Sequence, residues 1–288
     1  MGDLAVALEH AEMLVYYQPI LAREGHSVRS RARGGAQGGA RDAGPAGSSV
    51  AAVEALLRWR CAPGVVLPAA DFIDSAISSG LIHSIGRWLI DQTCEQLREW
   101  QDELGNRAPA TAFVNLCGPE LALVDLPSAL GAALERHRLE PQCLGLEIVE
   151  EDLSSVELLP QLVACHDRGH PLAVDDFGTG YSSLSRLLDL PVDLVKMDRS
   201  FLQDVPQDQR RAALIDAVLG VADSLDLQVI AEGVETEEQF THLTAAGCQL
   251  LQGFYLGRPR PGAELSRTLR KAPPPEPRAA RWAASEHH

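Results

Sequence analysis

Leu172-Ala173-Val174-Asp175-Asp176-Phe177-Gly178-Thr179-Gly180-Tyr181-Ser182-Ser183-Leu184 decides the reading of this chain. A short apolar run closes on two adjacent carboxylates. A glycine-punctuated turn follows, and then a helix-like segment. Two neighbouring acids repel, and a strand end gains nothing structural from holding both. A loop start or a helix cap would use such residues in an ordinary way. A pair of divalent cations would use them chemically, one carboxylate bridging two ions and the next completing the second site.

Outward from this unit, the pattern repeats. Eight short apolar, β-rich runs punctuate the chain: 14–20, 50–57, 111–116, 144–149, 171–175, 193–197, 227–231 and 249–254. Helix-like segments lie between most of them, at 71–79, 81–103, 121–137, 158–168, 180–188, 209–225 and 237–246. The segment 81–103 places Leu81, Ile82, Ile85, Trp88, Leu89, Leu97 and Trp100 near a 3.6-residue period. Alternating strands and helices imply a parallel sheet, and eight strands in one unit imply an α/β fold of the modified (β/α)8, TIM-like kind. The first two runs have no helix between them, so the first strand is expected to be antiparallel. The barrel is expected over residues 1–265, with a flexible Arg/Gly-rich insertion at 23–49. Residues 266–288 are expected to form a disordered tail, Pro-rich from Ala272 onward. The insertion's composition offers no core and predicts a dispensable surface excursion.

Each run delivers a polar side chain near its end. They are Gln18, Glu54, Asn115, Glu147 with Glu150 beyond it, Asp175 and Asp176, Lys196 and Asp198, Glu232 and Glu235, and Gln252. Active sites of such barrels lie at the C-terminal ends of the strands. About six carboxylates in one cavity would be strongly destabilising without compensation, and oxygen-bound divalent cations are the simplest compensation. No His or Cys falls among these positions, which disfavours zinc. The nine histidines show no metal-binding spacing.

Composition narrows the classes. Across 288 residues, 25 Lys plus Arg against 40 Asp plus Glu give a formal charge of −15. That disfavours a nucleic-acid polymer or an anionic membrane surface as the main partner. Six cysteines without C-x-x-C spacing read as reduced thiols of a cytoplasmic protein. No apolar run approaches the length of a membrane span, and no secretory leader opens the sequence, so no membrane insertion is expected.

The motifs Tyr17-Gln18-Pro19-Ile20, Glu54-Ala55-Leu56-Leu57-Arg58-Trp59, Val114-Asn115-Leu116, Glu147-Ile148-Val149-Glu150, Asp175 to Leu184, Val195-Lys196-Met197-Asp198, Ala231 to Thr236 and Gln252-Gly253-Phe254 together resemble the EAL-domain cyclic-di-GMP phosphodiesterase family. Their order and spacing are specific, and they run from about residue 3 to about residue 262, nearly the whole chain. The resemblance implies metal-dependent hydrolysis of cyclic-di-GMP to linear pGpG, using two Mg²⁺ or Mn²⁺ ions. By position, Glu54, Asn115, Glu147 and Asp175 resemble ligands of the first ion, and Asp175, Asp176 and Glu232 ligands of the second. Lys196 resembles the residue that holds and polarises water, so Lys196, Glu232 and Glu54 are the candidate catalytic group. Gln18, Leu56, Arg58, Asp198 and Gln252 resemble substrate contacts. Glu150 and Glu235 resemble residues that couple a loop to the metal site, and through Glu150 to a homodimer. A regulatory protein partner is a further expectation. The alternative is a weak or inactive EAL domain that senses cyclic-di-GMP; such members typically lose the Glu of the EAL triplet, one paired Asp or the Lys, and all are present here. Val149, Cys117, Ile77 and the long loop between the first two strands depart from the family pattern without removing a ligand. Removing an acid such as Glu54 is expected to relieve repulsion in the metal-free protein.

Overall fold

The structure is a computed structural model that describes residues 4–23, 28, 48–116, 125–149, 158–178 and 190–271. Ten strands are described: β1 (Met13–Arg23), β2 (Ser48–Ala62), β3 (Val65–Pro68), β4 (Thr111–Leu116), β5 (Leu144–Val149), β6 (Leu172–Phe177), β7 (Leu194–Met197), β8 (Gln228–Ala231), β9 (Leu250–Leu251) and β10 (Arg260–Pro261). Strands β2, β4, β5, β6, β7, β8 and β9 follow one another in parallel. β1 closes the ring, antiparallel to β2 on one side and to β9 on the other. The expected eight-stranded, TIM-like α/β barrel with a reversed first strand is what the chain forms. β3 and β10 lie outside that ring, as antiparallel additions to β2 and β1.

The described helices are α1 (Leu4–Glu9), α2 (Ile73–Ser78), α3 (Ile82–Leu104), α4 (Leu126–His137), α5 (Leu159–Arg168), α6 (Gln209–Ser224), α7 (Glu237–Ala245) and α8 (Gly262–Lys271). α3 buries Ile82, Ile85, Leu89, Ile90, Cys94, Leu97, Trp100 and Leu104, the stripe its period predicts. The Trp100 indole donates to Ser266 Oγ at 2.8 Å, which ties α8 onto α3. The expected domain end at residue 265 therefore falls inside a packed helix: Leu265 and Leu269 are both buried. Residues 266–271, expected as tail, are thus helical, and the rest of that segment lies outside the described residues.

The insertion expected at 23–49 also narrows. Arg23 pairs with Ser48 and Ala22 with Ser49, so both edges belong to the β1–β2 ladder. Between them Val28 is described, and it packs against the floor of the barrel. The other residues of that segment, the helix expected at 180–188 and Glu150 lie outside the described residues.

Period-two alternation builds the barrel interior in layers. The lower layer is apolar: Ile20, Ala52, Phe113, Ala173, Leu194, Ile230 and Leu250 are all buried. β5 contributes Gly145 to the same layer, and a Cβ there would lie 2.4 Å from the Phe113 ring. One aromatic ring thus fills the space that the glycine leaves. Two residues onward, towards the strand C-terminal ends, every parallel strand of the ring turns polar. Among the described residues no helix is long and apolar enough to cross a membrane. Cys61, Cys94, Cys143, Cys165 and Cys248 are free thiols.

Candidate active site

The polar layer follows the apolar one with the same parity: Ala52 then Glu54, Phe113 then Asn115, Gly145 then Glu147, Ala173 then Asp175, Leu194 then Lys196, Ile230 then Glu232, Leu250 then Gln252. β1 runs the other way, so its polar residue Gln18 precedes Ile20 and sits mid-strand, opposite Glu54 in the ladder. The sequence placed Gln18 near the end of its strand; the reversed direction is what brings a mid-strand residue to the mouth.

Lys196 is the centre of this layer. Its side chain is 1% exposed, and Nζ lies 2.8 Å from Glu147 Oε2, 2.8 Å from Glu232 Oε1, 3.1 Å from Asp175 Oδ1 and 3.7 Å from Glu54 Oε1. Asn115 Nδ2 donates to Glu54 Oε1 at 2.8 Å, and Gln252 Nε2 to Glu54 Oε2 at 2.6 Å. Gln252 Nε2 also reaches Gln18 Oε1 at 3.2 Å, and Gln18 Nε2 donates to the Gly257 carbonyl at 3.1 Å. Asn115 thus shares Oε1 with Lys196, while the Gln252–Gln18 chain of amides holds Oε2.

The carboxylates divide electrostatically. Burial alone would raise Glu54, but the Lys196 charge and the Asn115 and Gln252 hydrogen bonds hold it below the usual range. Burial pushes Glu147 well up against the pull of Lys196, with the Glu54 and Asp175 charges adding to the rise. Burial lifts Glu232 to about 7, again against Lys196. Burial would lower Lys196 itself, yet Glu147, Glu54, Glu232 and Asp175 keep its ammonium charged far above the ordinary lysine range.

Adjacent strand residues normally point to opposite faces, yet Asp175 and Asp176 share the mouth. The β6–β7 register shifts between Val174 and Phe177, so that both acids oppose the single residue Lys196. Asp176 takes a left-handed backbone (φ 54°), and its N–H donates to Asp175 Oδ1 at 3.0 Å. A ligand oxygen from each of Asp175, Asp176 and Glu232 lies within 4.8 Å of the others.

This donor set suits a hard divalent cation, being all oxygen. Glu147 Oε1 and Gln252 Oε1 are buried with no hydrogen-bond partner among the described residues, a costly arrangement that a cation would relieve for the carboxylate. Glu54, Glu147, Asp175, Asp176 and Glu232 against Lys196 leave a formal 1 − 5 = −4 when all are ionised. Two divalent ions balance that charge.

Around the layer lies a cavity of about 250 Å³ lined by Gln18, Glu54, Asp175, Lys196, Glu232 and Gln252, with Arg199, Gly233, Glu235, Gly253 and Phe254 at its rim. Glu235 is exposed, and its backbone is held by Gln239, the third residue of the capping box that starts α7. Leu56 and Arg58 follow Glu54 at every second position of β2 and are half-buried outside this lining. Arg58 donates to the Leu57 carbonyl at 2.8 Å and sits 5.8 Å over the Tyr16 ring. Asp198 is not brought to the cavity: its carboxylate accepts from Ser200 N at 2.9 Å and caps the turn after β7. Arg199 and Gly233, which the sequence reading did not assign, line the rim instead. An exposed arginine beside an Asp-Ser turn carries no signal in a lone sequence.

The family model for the EAL domain matches residues 44–259. The chain is 38% identical over 271 residues to the bifunctional diguanylate cyclase/cyclic di-GMP phosphodiesterase MucR of Pseudomonas aeruginosa, covering 92% of this chain and 36% of that protein. It is 33% identical over 271 residues to the cyclic di-GMP phosphodiesterase PdeR of Escherichia coli, covering 93% and 37%. The chain thus spans about a third of the length of these relatives. A solved PaMucR phosphodiesterase in complex with c-di-GMP superposes with a TM-score of 0.76 at 37% identity, covering 91% of this chain and 98% of that one. With a matched model over most of its length and relatives of this identity on the same barrel, the chain belongs to the EAL domain family.

Proposed function

We propose that this chain is a cyclic-di-GMP phosphodiesterase that produces linear pGpG with the help of two Mg²⁺ or Mn²⁺ ions. The observation that carries the reading is the complete polar layer, in which Lys196 contacts four carboxylates and two adjacent acids share the mouth with Glu232. Relatives named as phosphodiesterases for this dinucleotide support the substrate. Glu54, Asn115, Glu147 and Asp175 would hold one ion, and Asp175, Asp176 and Glu232 the other. When bound, such ions lower the pKa of water and neutralise a phosphodiester. Lys196 orients the attacking water through Nζ. Water gives up one proton as its oxygen bonds to phosphorus, the bond from phosphorus to the 3′ oxygen breaks, and that oxygen takes up one proton in return, leaving a 5′-phosphate and a 3′-hydroxyl. Gln18 and Gln252 position the substrate from the cavity, with Leu56 and Arg58 further along β2, and Glu235 couples the loop after β8 to the metal site. The homodimer and the coupling role of Glu150 belong to the same proposal.

Incubating the chain with cyclic-di-GMP and Mn²⁺ and separating the products tests the reading. pGpG should accumulate, and chelator should stop it. Binding without cleavage would support the sensor alternative, and neither would remove both.

A further inference from the structure

Two cationic residues line the cavity, and they are committed differently. Lys196 is buried and surrounded by four carboxylates. Arg199 is exposed at the rim and has no ion pair or hydrogen bond from its guanidinium among the described residues. Its stem is fixed all the same. A Cβ on Gly233, which has φ +69°, would lie 2.3 Å from Arg199 Cβ, so the loops after β7 and β8 touch at this point. The 3-10 turn Arg199–Leu202 is capped by Asp198 and tied to α6 by the Arg211 guanidinium on the Ser200 carbonyl, at 2.5 Å. The backbone is anchored on three sides, and the exposed residue lines the cavity.

The other arginines near the mouth lie outside the cavity lining and have partners within the chain. Arg58 bonds the Leu57 carbonyl and stacks on Tyr16, and Arg258 lies 4.1 Å over the Phe254 ring outside the lining. A cyclic dinucleotide carries two phosphodiesters on opposite sides of its ring. The polar layer deals with one of them. The second would enter a cavity whose other charged rim group is the Glu235 carboxylate, and would be repelled unless a cation met it. A guanidinium suits that task, because its planar fork meets two phosphate oxygens at once.

Resting on the cavity's reading as a cyclic-dinucleotide site, we propose that Arg199 binds the second phosphodiester of the substrate, the one remote from Lys196. Arg199 then sets affinity for a ligand with two phosphodiesters and discriminates against the linear product, whose charges can move apart.

Steady-state kinetics of wild type, Arg199→Ala and Arg199→Lys with Mn²⁺, together with equilibrium binding of cyclic-di-GMP in chelator, test this. Arg199→Ala should raise KM and Kd by about tenfold or more, with kcat at saturation and the Mn²⁺ concentration for half-activation changing by less than about threefold. Arg199→Lys should recover part of the affinity, and the wild-type advantage should shrink as salt rises. Unchanged KM and Kd in Arg199→Ala, while wild type cleaves the dinucleotide, would overturn the inference and leave the cavity's function standing. A loss insensitive to salt and not rescued by lysine would place the guanidinium on a guanine edge and also overturn it. Failure of wild type to bind or cleave would instead remove the underlying reading.

Discussion

The two layers inside the barrel come from the same strands, one parity step apart, and obey opposite rules. The lower layer, with Phe113, Ala173, Leu194, Ile230 and Leu250, is apolar and buried. The upper layer, with Glu54, Glu147, Asp175, Lys196 and Glu232, packs charge where burial alone would forbid it. In the lower layer stability and shape are the same thing. In the upper layer burial of the acids opposes stability, and Lys196 offsets part of their charge.

Substitutions can break or sharpen that contrast, ranked here by their effect on the metal-free protein. Lys196→Met is expected to cost the most. It leaves four carboxylates without their counter-charge, a loss of about 3–5 kcal/mol by analogy with broken buried pairs. Urea unfolding in chelator reads it, and added Mn²⁺ should restore more stability to the mutant than to wild type. A mutant as stable as wild type in chelator would mean that the lysine is not what neutralises the layer. Turnover should fall in parallel.

Gly145→Ala perturbs the floor alone. Its new Cβ meets the Phe113 ring at 2.4 Å, and overpacking of this kind costs about 1–3 kcal/mol. Turnover per folded molecule at saturating metal should nevertheless stay close to wild type. A large loss of kcat with the fold intact would show that the layers are not independent.

Glu54→Ala tests the upper layer from its most stable member. From the sequence, removing an acid was expected to relieve repulsion. The structure reverses this for Glu54, whose carboxylate is held below the usual range and accepts from two buried amides. Its loss should cost about 1–2 kcal/mol, because Asn115 and Gln252 lose their acceptor, and it should abolish turnover. Thermal melts in chelator separate the two expectations by sign.

Relief belongs instead to Glu232. Burial lifts its pKa to about 7, above its unfolded value, so in metal-free protein its ionisation costs stability that builds up as pH rises from the ordinary carboxylate range to about 7 and stays constant above it. Glu232→Gln should therefore melt at the same temperature as wild type or slightly higher in chelator at pH 8, with the difference fading at pH 5. A clear drop in melting temperature at pH 8 would argue against that sign.

Much of this was legible in the chain because parity is legible. Each parallel barrel strand carries an apolar residue or glycine, and two positions on a polar one, so the runs at 111–116 and 144–149 coincide with β4 and β5. The reversed β1 followed from the missing helix. Other features depended on tertiary context. α8 reads as a charged end beside a Pro-rich stretch, and only its docking through Ser266 onto Trp100 makes it part of the barrel. β3 is a short exposed extension that Val65 and Val66 do not distinguish from a loop. Asp198 reads as a substrate contact by resemblance, whereas its carboxylate caps the turn after β7, and an Asp at a strand end suits either role. The neighbouring Arg199 went unassigned because nothing in sequence separates a rim cation from an ordinary surface charge.

The register shift in β6 has a consequence for insertions and deletions. Val174 pairs with Val195 and Phe177 with Met197, so two residues of one strand stand against one of the other. Removing Asp176 outright would restore even counting, Asp175 opposite Lys196, and leave the pairing on both sides in place. A one-residue deletion at this point is thus among the changes the barrel would notice least, and it removes an acid from the mouth. Substitution of the same residue keeps the extra backbone link and the φ 54° that Asp tolerates better than most side chains. Chain length at a single position, as much as side-chain identity, therefore separates a barrel that presents paired acids from one that presents a single acid.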